Sequence, residues 1–73
     1  QKVLALESWQ LLGTSYGLSE RYLEAILAFK EGLQRHGGDD EKRASDTADA
    51  LDRAISALKR QTKNATEFDG LYS

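Results

Sequence analysis

Along the chain, apolar positions recur at the three-and-four-residue spacing of helices rather than at the alternation of strands. The clearest case is the C-terminal half. Ala44, Ala48, Leu51, Ile55, Leu58, Thr62 and Ala65 follow steps of four and three, which predicts a helix over about 39–63 with a heptad seam. Leu18, Tyr22, Ile26, Phe29 and Leu33 form a second row, and Leu23 and Leu27 widen it sideways. That stripe is broader than one neighbour covers, so this helix, over about 19–35, is expected to touch two. Gly32 lies within it, and a missing side chain there would admit the third helix near Ala44 and Ala48. Val3, Leu4, Leu6, Trp9, Leu11 and Leu12 fall all around a helical wheel. They predict a helix over about 2–12 that is buried or packed into something else.

Punctuation supports these bounds. Gly13-Thr14-Ser15-Tyr16-Gly17 reads as the end of the first helix and Gly37-Gly38 as the end of the second. Ser19 is an expected N-cap, with Leu18 packed over the first turn. Residues 1–67 then form a single helical domain, and 68–73 a tail. Phe68, Leu71 and Tyr72 of that tail fold back over the helices or anchor in a partner's groove. The predicted fold is all-α: a helical hairpin plus a third N-terminal helix, a small three-helix bundle that packs in an oligomer or against a partner.

Composition narrows the chemistry. The chain has 73 residues, no cysteine, no proline and one histidine. Thiolate sites and clusters of several imidazoles are excluded, and no cofactor is expected. His36 beside Asp39 and Asp40 reads as a helix C-terminal cation followed by an acidic helix start, with no catalytic or metal residues assigned. So small a chain offers little volume for a catalytic cleft, and it reads as non-enzymatic. Asn64-Ala65-Thr66 fits the glycosylation sequon. No apolar run is long enough to span a membrane. The start at Gln1 and the absence of methionine read as an excised or processed piece, and the compartment is not legible.

Charge is nearly balanced at −2 but not evenly spread. Asp39, Asp40, Glu41, Asp46, Asp49 and Asp52 crowd the first half of the third helix, and Arg53, Lys59, Arg60 and Lys63 fill the second. This gradient complements the helix dipole and would equally suit antiparallel pairing of two such helices.

Residues 9–26 resemble the helix-turn-helix signature: Leu12-Gly13, then Gly17-Leu18-Ser19, then Leu23 and Ile26. The resemblance implies a nucleic-acid-binding alternative. The would-be reading helix begins Ser19-Glu20-Arg21 and carries Glu24, a poor complement to a polyanion, so no nucleic-acid partner is expected. The preferred reading is a protein–protein interaction module, an oligomerisation, docking or small-chaperone-like subunit. Bulky apolar residues number fourteen in 1–36 and six in 37–73, which leaves apolar surface over for a second copy or another protein. Trp9, Leu12, Leu23 and Leu27 are the expected partner-binding residues.

Overall fold

A computed structural model describes the backbone of residues 5–72 and the side chains of residues 5–63. Three helices follow one another: α1 (Leu6–Leu18), α2 (Tyr22–His36) and α3 (Glu41–Tyr72), with no strand among the described residues. α2 lies between the other two. Arg43 of α3 reaches Glu7 (3.4 Å) and the Gln10 side chain (2.9 Å) at the start of α1. Leu18, at the other end of α1, borders the same cleft as Ala57 and Arg60. The helices therefore run up, down and up.

The first helix does not stop at Leu12. It continues through Gly13 and Gly17 to Leu18, because the glycine at 13 serves packing rather than a turn. A Cβ on Gly13 would stand 2.5 Å from the Phe29 ring, so only glycine lets that ring lie against α1. The reversal falls later, at Ser19-Glu20-Arg21, where Glu20 takes a left-handed backbone with φ 61°. Ser19 is thus the C-cap of α1 and not the N-cap of α2, whose N-cap is Arg21. Leu18 is 83% exposed and staples nothing. Arg21 instead lies 5.3 Å from the Tyr16 ring centre and pairs with Glu24 at 2.8 Å, which ties the turn to both helices.

The second turn is more conventional. α2 ends at His36 before Gly37-Gly38, and the Asp40 carboxylate accepts the Arg43 backbone N–H at 3.1 Å, an N-cap for α3. His36 Nδ1 stands 3.2 Å from Asp39, and no group of three or more potential metal ligands gathers among the described residues. α3 runs on to Tyr72, so 68–72 continues the helix and is not a separate tail. The expected fold-back of Phe68, Leu71 and Tyr72 concerns side chains outside the described residues, as do residues 1–4 of the first predicted helix. No helix among the described residues is long and apolar enough to cross a membrane.

The core is thin and built on small residues. Ala25, Phe29 and Ala54 form its centre, with Tyr16, Ile26, Ala50 and Leu51 packed around them. Phe29, at 3% exposure, is the one large side chain in that centre. Along α3 the inward row is Arg43, Thr47, Ala50, Ala54 and Ala57, one residue earlier than the predicted seam. Ala48 is exposed, and Leu51, Ile55 and Leu58 are only half-buried. The physical reason is Phe29. Its ring lies against Gly13 of α1 and packs in the core with Ala54 of α3, so the shortest side chains face it and Leu51 reaches only the core's edge. Thr47 is fully buried, and its hydroxyl donates to the Arg43 carbonyl at 2.7 Å, so no polar atom of that side chain is stranded.

α3 also outruns its neighbours. Thirty-two helical residues span about 48 Å at 1.5 Å each, close to the longest dimension of 53 Å. α1 and α2, with 13 and 15 residues, are each less than half as long.

Candidate interaction surface

The four expected partner-binding residues are not equivalent in the structure. Trp9 is half-buried on α1. Gly32 faces α1 rather than α3: a Cβ there would meet Trp9 Cβ at 2.5 Å and Leu6 Cδ1 at 3.3 Å. The expected approach of Ala44 and Ala48 to Gly32 is therefore replaced by that of Trp9, because α1 lies along the Ala28–Gly32 edge of α2. Trp9 Nε1 is buried without a hydrogen-bond partner among the described residues. Leaving such a donor unpaired costs about 1–3 kcal/mol.

Trp9 also forms one wall of an open groove between α1 and α2, with Leu12, Tyr16 and Leu27. Their spacing puts this set together. Positions 9, 12 and 16 lie on one side of α1, and Leu27 stands beside Ala28 at the facing edge of α2. Glu24 and Glu31 close the rim. Both are held from the α2 surface, Glu24 by Arg21 and Glu31 by Arg35. The Glu24 carboxyl is held below the ordinary glutamate range by a hydrogen bond from its own backbone N–H, and next by the Arg21 guanidinium. Glu24 is therefore ionised at neutral pH.

Leu12 is 41% exposed, and Leu23 and Leu27 are 57% exposed each. Leu23 lies one turn from Leu27 on the same face of α2 but does not line the groove. The surface is thus a groove with Leu23 as an outlying apolar neighbour. The groove also uses Tyr16, which the glycine-rich stretch around it had marked as turn. Reading helix through Gly13 and Gly17 would have placed it.

Two further exposed leucines, Leu11 (63%) and Leu18, lie on the opposite side of α1. Leu18 borders a second cleft, floored by Gly13, Phe29, Ala54 and Ala57 with Arg53 and Arg60 at its edge. The uneven distribution of bulky residues appears here as leucines on the outside of α1 and α2. These helices are short, and α2 spends its inner face on Ala25, Ala28, Phe29 and Gly32.

No family of known proteins, curated protein or solved structure matches the chain.

Proposed function

We propose that the protein is a non-enzymatic interaction module that associates with a second copy or another protein through the apolar face of α1 and α2. The observation that carries this reading is the exposure of Leu12 and Leu27 on the groove walled by Trp9, with Leu23 exposed beside it. Burying three such leucines contributes about 1.5–3 kcal/mol each when complete, and contiguous apolar patches on small proteins commonly mark interaction sites. A helix laid in the groove would reach Leu12 and Leu27 from either side, with Leu23 extending the contact along α2. Trp9 supports the groove wall more than it offers itself, since its Cβ is committed to Gly32.

Sedimentation over a concentration series, with circular dichroism on the same samples, tests the reading. The expected result is a helical protein whose mass rises with concentration, and a Leu27→Glu variant with a smaller associated fraction at unchanged helicity. Identical mass distributions for wild type and Leu27→Glu would overturn it.

A further inference from the structure

The seam that the heptad spacing marks on α3 is not the main row that packs on α2, and of its residues Leu51 packs at the edge of the core. Thr47, Ala50, Ala54 and Ala57 take that role, and Leu51, Ile55 and Leu58 are left half-buried beside it. The spacing from Ala44 to Thr62 therefore describes a second face of the same helix, turned about one residue, or 100°, from the core. Asp52 and Lys59 flank this face on the side away from α2. Both are exposed, and neither joins an ion pair among the described residues.

We infer that this face is a homodimer interface in which α3 pairs antiparallel with α3 of a second copy. The occupant follows from three features that agree on one register. In an antiparallel pair, a positions of one helix meet d positions of the other. Setting Ile55 against Leu58 of the partner subunit puts Leu51 against Thr62 of the partner subunit. The two-fold axis then passes between Ser56 and Ala57. The same axis brings Asp52 beside Lys59 of the partner subunit, and by symmetry Lys59 beside Asp52 of the partner subunit. The midpoint of Glu41–Tyr72 also lies between Ser56 and Ala57, so this register pairs the two helices over their whole length.

The Asp52 and Lys59 positions select the direction. The antiparallel register sets Asp52 beside Lys59 of the partner subunit twice across the axis, whereas a parallel pair brings Asp52 level with Asp52 of the partner subunit and Lys59 level with Lys59 of the partner subunit. This interface is separate from the groove of Trp9, Leu12 and Leu27.

Charge complementation tests direction and register together. Asp52→Lys places two lysines at each contact and Lys59→Asp two aspartates. Each variant alone is expected to dimerise about tenfold more weakly than wild type, from two attractive pairs turned repulsive. An equimolar mixture of the two is expected to recover wild-type affinity as a heterodimer, read by sedimentation. Both sites are exposed, so circular dichroism of each monomer is expected to match wild type. Ile55→Lys is expected to give a monomer with the α1–α2–α3 core intact, because Ala54 and not Ile55 faces that core. A wild type that stays monomeric at all concentrations overturns the inference, as do single charge variants that dimerise like wild type or a mixture that recovers nothing. Leu27→Glu is expected to leave this dimer in place. The α1–α2 face and the α3 face can therefore fail independently.

Discussion

Replacing Gly32 with alanine adds one methyl group at the tightest point between α1 and α2. The new Cβ would lie 2.5 Å from Trp9 Cβ, 3.0 Å from its Cγ and 3.3 Å from Leu6 Cδ1. Carbon atoms in contact prefer about 3.5–4.0 Å. Trp9 Cβ is fixed to the α1 backbone and cannot swing aside, so the helices must part by about 1 Å. The neighbouring contact, Phe29 on Gly13, lies in the same interface and loosens with it. Overpacking of this kind costs about 1–3 kcal/mol, and the better helix propensity of alanine returns about 1 kcal/mol. A net loss of up to about 2 kcal/mol is expected. In a domain of this size that lowers Tm by up to about 15 °C. Gly17→Ala is the internal control. No atom lies within 4 Å of its Cβ position, so propensity acts alone and stability is expected to rise by about 1 kcal/mol. Thermal unfolding followed by far-ultraviolet circular dichroism reads both variants at one protein concentration. A Gly32→Ala protein that melts above wild type would refute the close packing of α1 on α2.

Two other side chains give sharp expectations. Trp9→Phe keeps most of the ring and removes the buried N–H that has no partner among the described residues. Relief of about 1–3 kcal/mol offsets the lost ring area, so urea unfolding is expected to place the variant within about 1 kcal/mol of wild type, and a loss above about 2 kcal/mol would mean that the N–H is bonded. Glu24 has a folded pKa below its unfolded value, first through its own backbone N–H and then through Arg21. Its contribution to stability is therefore present above the unfolded value and lost as pH falls through the folded one. Its side chain is open to solvent at the groove rim, which keeps that contribution small. An NMR titration of the Glu24 carboxyl is expected below the ordinary glutamate range and to rise in Arg21→Gln; an unchanged titration would remove the guanidinium as a cause.

How much was legible differs between elements for physical reasons. The helical period of α3, the wide stripe on α2 and the stop at Gly37-Gly38 are local properties, and local properties can be read one residue at a time. The width of the α2 stripe carried the expectation of two neighbours, and α2 does lie between α1 and α3. Leu23 and Leu27 fell outside the main apolar row in sequence and are exposed in the structure. Gly13, Gly17 and Gly32 were less transparent. A glycine in a sequence signals either a turn or a close approach, and the choice depends on what stands opposite. Gly13 meets Phe29 and Gly32 meets Trp9, partners 16 and 23 residues away in the chain.

The sequence by itself determined that this is a helical protein with an amphipathic second helix, a heptad-spaced third helix graded in charge, and apolar residues in excess toward its N-terminal half. Only the tertiary structure decided which face of α3 meets α2. Periodicity defines the rows of a helix but not its rotation about its own axis. That rotation is set by the volume opposite, and here one phenylalanine between small residues turns Thr47, Ala50 and Ala54 inward and leaves Leu51, Ile55 and Leu58 half-exposed.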